Sequence, residues 1–177
     1  MLKKFILALS VSCSLIGIKG YANQSGEYSP CKGTTYFKMG GGIASASEWK
    51  KIQPAIGIGR RYEWNGQAVD VSANYSGKNH RQFFYSVPKI MYLQYLDPVA
   101  DTSPYVGGGL SWGESRDKSK NRQFQGIFGE LAAGIEFQRH SPIRTFVEVD
   151  VSEGLIASRK KNRTYAPVVM LTAGIGF

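Results

Sequence analysis

Few side chains in this sequence could carry catalysis. Two histidines occur, His80 and His140. His80 lies in the basic run Gly77-Lys78-Asn79-His80-Arg81-Gln82 and reads as a solvated surface residue. His140 stands beside Ser141 with Glu148 downstream, the residue types of a hydrolytic relay. Their spacing, and the place of His140 in a short turn, argue against that use. No Cys or His set has metal-ligand spacing, so neither a metal nor another cofactor is expected. Gly40-Gly41-Gly42 sits inside an alternating stretch instead of opening a helix, which rejects a phosphate-cradling loop. What the sequence offers is charge. Asp70, Glu130, Glu136, Glu148 and Asp150 share the polar face of their segments with Lys38 and Arg61, and Lys89 is placed with them by analogy. Buried charges at that density are tolerable only when paired and hydrogen-bonded, so these eight read as an ion-pair network. A second set, Lys78, Arg81, Arg116, Lys118, Lys120, Arg122, Arg159, Lys160, Lys161 and Arg163, crowds into a few connections, where cations attract polyanions. The chemistry on offer is ion pairing, not turnover.

The elements that position these residues follow from composition and period. The 177 residues include 21 Gly, 10 Tyr and 9 Phe, a balance that favours strands and turns. At 42% hydrophobic and 20% charged, the chain is too apolar for disorder. Its one long apolar stretch is N-terminal, which excludes a polytopic helical membrane protein. Past residue 33 the pattern is period two over eight segments: Thr35–Ala44, Ile52–Tyr62, Gln67–Ser76, Phe84–Leu96, Pro104–Gly113, Gly126–Arg139, Arg144–Ser152 and Tyr165–Phe177. In the seventh, Val147, Val149 and Val151 oppose Phe146, Glu148 and Asp150; in the eighth, Val169, Leu171, Ala173 and Ile175 oppose Val168, Met170, Thr172 and Gly174. The fourth alone mixes apolar and polar residues on both faces. A soluble sandwich also alternates, but a polar face of glycines and carboxylates suits a cramped lumen better than an open surface. An eight-stranded barrel is just wide enough for side chains to fill. Most segments match the roughly 9–11 residues a tilted strand needs to cross a bilayer.

Met1 to Ala22 has a basic start at Lys3 and Lys4, an apolar run from Phe5 to Ile18, and small residues before the Ala22–Asn23 bond, the marks of a cleaved secretory signal. Cleavage there leaves a periplasmic N-terminal segment, 23–33, ahead of a barrel domain over 34–177. Without Lys3, Lys4 and Lys19 the net charge falls from +9 to +6. Cys31 is then the one remaining cysteine, either a free thiol or half of an intermolecular disulfide.

The connections alternate in character. Asn65-Gly66 is a type I′ hairpin signal, and the joints near 97–103 and 140–143 are short. The other set, Ser45–Lys51, Gly77–Phe83, Glu114–Gln125 and Glu153–Thr164, is basic and includes the two longest; together it carries +8. Short turns on one rim and longer loops on the other is the asymmetry of bacterial outer-membrane barrels. Trp49, Tyr62, Trp64, Tyr85, Tyr95, Tyr105, Trp112 and Tyr165, near segment ends, are expected to form two aromatic girdles.

Three stretches carry a resemblance: Pro104–Gly113 (PYVGGGLSWG), Gly129–Gln138 (GELAAGIEFQ) and Leu171–Phe177 (LTAGIGF). They are similar to strands of the OmpA/OmpX-type eight-stranded outer-membrane barrels, a family that includes opacity-like surface proteins. The resemblance implies an all-β, eight-stranded, antiparallel up-and-down transmembrane barrel. It also implies that Phe177 is part of the signal read by the outer-membrane insertion machinery.

The expected protein is a non-enzymatic component of the bacterial outer membrane, structural or adhesive. Its basic rim would meet lipopolysaccharide or a host polyanion, and export removes nucleic acid as a partner. Two alternatives stand beside it. One is a lipid-modifying outer-membrane enzyme at His140, similar in residue types to the lipid A deacylase. The other is a secreted soluble barrel resembling lipocalins, which leaves Phe177 unexplained and lacks that family's Gly-x-Trp near the first strand.

Overall fold

The computed structural model describes residues 32–43, 52–79, 82–117, 122–157 and 167–177. They form eight strands: β1 (Lys32–Ile43), β2 (Gln53–Trp64), β3 (Gln67–Asn79), β4 (Gln82–Tyr95), β5 (Ser103–Asp117), β6 (Arg122–Phe137), β7 (Arg144–Ala157) and β8 (Val168–Gly176). Each pairs antiparallel with its neighbour in sequence, and β1 pairs with β8, so the sheet closes. The fold is the all-β, eight-stranded, up-and-down barrel that the alternation implies. At the closing seam, the amide and carbonyl of Phe177 exchange 2.9 Å hydrogen bonds with those of Thr35.

The alternation is inside-out relative to a soluble protein. On β8 Val168, Met170 and Thr172 are buried, while Leu171 is 56% and Ile175 45% exposed. Met39, Ile56, Ile58, Ile90, Leu110, Ile135 and Val147 continue this exposed apolar band round the wall. The polar residues are the ones inside. Lys38, Arg61, Lys89, Glu130, Glu148 and Asp150 are all nearly inaccessible to solvent.

The mixed faces of the fourth segment have a local cause. In β4 the register with both neighbours slips between Ser86 and Lys89, and Val87 and Pro88 both face outward. Such a bulge flips the parity of everything after it. Phe84 and Ser86 point inward before it; Lys89, Met91, Leu93 and Tyr95 point inward after it.

Several connections are shorter than the sequence pattern suggests. β3 reaches Asn79 and β4 starts at Gln82; β5 runs to Asp117 and β6 starts at Arg122. Lys78, Arg116 and Arg122, expected in loops, are therefore strand residues. Above the apolar band these hairpins keep their backbone ladder without alternating hydrophobicity, because the ladder is made by main-chain groups whatever the side chains. On the opposite rim, the turn between β2 and β3 is two residues, with Asn65 at φ 46° and Gly66 at φ 75°, as a type I′ turn requires.

Glycines on the inner face make room for large neighbours. A Cβ on Gly174 would lie 2.2 Å from Phe146 Cζ, and one on Gly134 would lie 2.6 Å from the Tyr105 ring.

Candidate functional site in the barrel interior

The interior charges meet across the lumen, from inward positions of β1, β2, β3, β4, β6 and β7. Lys38 Nζ on β1 donates to Glu148 Oε1 at 2.5 Å and Asp150 Oδ2 at 2.8 Å, both on β7. Lys89 Nζ on β4 donates to the other oxygen of Asp150 and lies 3.8 Å from Glu130 Oε2. Arg61 on β2 is the hub. It reaches Asp70 at 3.2 Å, Glu136 at 2.9 Å and Glu148 at 3.3 Å. Its guanidinium carbon is 4.7 Å from the centre of the Tyr105 ring and 5.3 Å from that of Phe146, within cation–π range of both.

Hydroxyls add further donors to these carboxylates. Tyr36 donates to Asp70 at 2.8 Å, Tyr95 to Glu136 at 2.5 Å and Tyr105 to Glu148 at 2.7 Å. Ser111 and Ser152 donate to the two oxygens of Glu130 at 2.5 and 2.6 Å. The network continues to the turn-side rim. There Arg144 bridges Glu136 and Glu63 at 3.1 and 2.9 Å, and Arg139 also pairs with Glu63. Arg139 further donates to the carbonyls of Asp97 and Pro98 and stacks 3.9 Å over Tyr95, tying two turns to the lumen. Five cations face six carboxylates, and every one of these side chains has an opposite charge in reach.

All eight residues singled out for the network thus lie in one interior layer. Glu63, Arg139, Arg144 and the tyrosines 36, 95 and 105 belong with them and were not singled out. Tyr95 and Tyr105 were expected in the girdles but turn inward to carboxylates, because they share the parity of Leu93 and Gly107. The sequence signal was there in part: Glu63 has the parity of Arg61, and Tyr36 that of Lys38. Aromatics that do face outward gather at two levels, Tyr62, Tyr92, Phe137 and Phe177 near the short turns, and Tyr75 and Trp112 near the other end.

The three residues of the enzyme alternative do not meet. His140 Nε2 lies 3.1 Å from the Val99 carbonyl, Ser141 Oγ accepts from the Ile143 amide, and Glu148 is held inside by Lys38, Arg61 and Tyr105. Among the described residues no cluster of His, Cys, Asp and Glu could hold a metal.

Of the basic set, Arg116 pairs with Glu114 at 2.8 Å and packs over Phe83 on the outer wall. Lys78 and Arg122 lie in β3 and β6. Arg81, Lys118, Lys120, Arg159, Lys160, Lys161 and Arg163 lie outside the described residues, as do His80, Trp49, Tyr165, Ala22, Asn23 and Cys31.

An apolar wall around a charged and filled interior, closed by eight antiparallel strands, decides the architecture. The chain has the fold of the eight-stranded outer-membrane barrels. The crystal structure of Neisserial surface protein A is similar at a TM-score of 0.60 and 14% identity, covering 85% of this chain and 97% of that one. The N-terminal β-barrel domain of Pseudomonas aeruginosa OprF matches at 0.55 and 14%, covering 83% and 98%. Ail, the attachment invasion locus protein of Yersinia pestis, matches at 0.53 and 14%, covering 82% and 95%. No family model and no curated protein matches the sequence. At this identity the likeness is one of fold, and the ion layer described above is argued from this barrel's own residues.

Proposed function

We propose that this chain is a non-enzymatic protein of the bacterial outer membrane, structural or adhesive, whose basic outer rim contacts lipopolysaccharide or a host polyanion. One observation carries the reading: a wall of exposed Ile, Val, Leu and Met encloses charges that are fully paired with one another. Such a wall is stable in lipid, and a closed barrel is one of two ways a chain can satisfy its backbone there. The residues inside brace the wall, leaving the rims to meet partners. A surface protein and an attachment invasion locus protein among the barrels of like fold support a role at the cell surface.

In this reading residues 1–22 direct export and are removed at the Ala22–Asn23 bond, and the short turns face the periplasm. Phe177 is the assembly signal. Its ring is 69% exposed, so its side chain is free to be read while its backbone closes the seam. In the same reading Cys31 forms an intermolecular disulfide, which a non-reducing gel of oxidised cells would display as a dimer and whose absence there removes it.

The test has two arms. The mature chain should fractionate with outer membranes, resist carbonate extraction and migrate differently in gels before and after heating; recovery in the soluble periplasm overturns the proposal. In the second arm, Lys160→Ala and Lys161→Ala together should weaken binding to lipopolysaccharide or a sulfated polysaccharide, with the difference vanishing at high salt. Unchanged binding removes the polyanion role and leaves the structural one.

A further inference from the structure

Among the residues whose facing is described, four charges stand at outward positions. Glu114 and Arg116 stand at the ends away from the short turns, beyond the register of Trp112, and Glu153 lies opposite Gly129 in the same far half of the wall. The fourth, Arg60, is within the turn-side half of the wall. It is exposed, with Thr35 of β1 and Val71 of β3 as its ladder partners and Ile58 beside it on the same face. An arginine there is costly unless its head escapes the hydrocarbon.

Its side chain shows the escape. A Cβ built on Gly33 would lie 3.0 Å from Arg60 Nη2 and 3.2 Å from its Nε, so the guanidinium lies across Gly33. Its carbon also lies 5.3 Å from the centre of the Tyr62 ring. Gly33 and Tyr62 are paired with each other one step nearer the turns than Arg60 itself. The side chain therefore folds down the wall to the rim, and the missing side chain of Gly33 is the notch that lets it lie flat. The ring beneath it supplies one attractive face. A guanidinium has five N–H donors, and among the described residues none of Arg60's finds an acceptor. Arg61, the adjacent residue, spends its donors on three carboxylates.

We propose that Arg60, seated between Gly33 and Tyr62, is a binding site for the phosphate of a glycerophospholipid in the leaflet on the turn side. A phosphodiester at headgroup level offers paired anionic oxygens that match the planar fork, a charge that ester carbonyls and water at the same depth lack. The inference rests on the outer-membrane reading above, which places this leaflet on the periplasmic side.

The experiment uses the mature barrel in nanodiscs that contain equal amounts of phosphatidylglycerol and a phosphate-free glycolipid of the same chain length, released gently for native mass spectrometry. The unaltered protein should retain phosphatidylglycerol over the glycolipid by about fivefold, the preference one cation near an anionic surface confers. Arg60→Gln should bring the ratio near one. Gly33→Val, which fills the notch and leaves the charge in place, should lower it as well. Arg116→Gln, at the far rim, should leave it unchanged. An Arg60→Gln barrel that keeps the full preference overturns the site. A chain that does not enter nanodiscs at all overturns the membrane reading instead, so the two failures are told apart.

Discussion

The half of the lumen nearest the short turns and the half nearest the opposite rim are built from different materials. On the turn side, Arg61, Lys38 and Lys89 are matched to carboxylates, and the tyrosines supply the remaining donors. On the outer side Phe84, Phe124 and Phe128 pack edge to face at 4.9–5.3 Å, with Ala55, Val168 and Met170 around them. Beside this apolar plug stand Ser76, Ser86 and Asn74, whose side-chain polar atoms are buried without a hydrogen-bond partner. The difference teaches where the barrel's precision lies. A network of charges in low dielectric holds one geometry, because each member left unpaired is expensive. An apolar plug tolerates shape changes as long as volume is kept.

The contrast would break first at Arg61. Arg61→Ala leaves Asp70 without a cation and takes one of two cations from each of Glu136 and Glu148, and should lower unfolding stability by about 3–5 kcal/mol. The midpoint of urea unfolding of the folded barrel in vesicles, at an unchanged slope, reads this directly. A loss under about 1 kcal/mol would mean that water reaches the layer and the pairing is dispensable.

Next in size is Tyr105→Phe. It removes the donor 2.7 Å from Glu148 while keeping the ring against Arg61, so it isolates one charged hydrogen bond. The expected cost is about 1.5–3 kcal/mol. The double variant with Tyr95→Phe should lose more than the sum, because Arg61 connects Glu136 to Glu148. Simple additivity would show two separate pairs in place of one network.

Sequence patterning reached the barrel more easily than the network. Every strand has an inner and an outer face of different chemistry, and period two is visible wherever the outer face is apolar. It fades in three places, each for a physical reason. At Val87 and Pro88 the bulge inverts the parity, so Lys89 could be assigned only by analogy. Beyond Trp112 the outward positions are polar, Glu114 and Arg116 among them, so the strand ends Glu114–Asp117 and Arg122–Gln125 look like loop. At the turn rim, Arg139 contributes through backbone carbonyls of Asp97 and Pro98, partners that no alternation encodes. Tyrosine is ambiguous by nature. Tyr62 and Tyr105 both lie near a strand end, but one meets the interface and the other a buried carboxylate.

A smaller effect belongs to the plug. Phe128→Leu keeps most of the apolar volume against Phe84 and Phe124 and should cost about 1 kcal/mol by the same urea midpoint. A cost approaching that of Arg61→Ala would show that the outer half is as exacting as the inner, and the division drawn above would fail.

The sharpest comparison uses one residue type on both sides of the divide, and its smaller member is the smallest effect expected. Ser152 Oγ donates to Glu130 at 2.6 Å, whereas Ser76 Oγ is buried with no partner. Both side chains are fully enclosed. Truncating each to Ala deletes the same oxygen and opens the same small space. At Ser152 the carboxylate loses a donor it cannot replace, so the expected cost is about 1–2 kcal/mol. At Ser76 the deletion removes a hydroxyl whose desolvation is uncompensated, so stability should stay within about 0.5 kcal/mol or rise. Ser86→Ala, at a second unpartnered hydroxyl, should behave like Ser76→Ala. If Ser76→Ala costs as much as Ser152→Ala, its hydroxyl is engaged in solution and the outer half of the lumen is a polar network of its own.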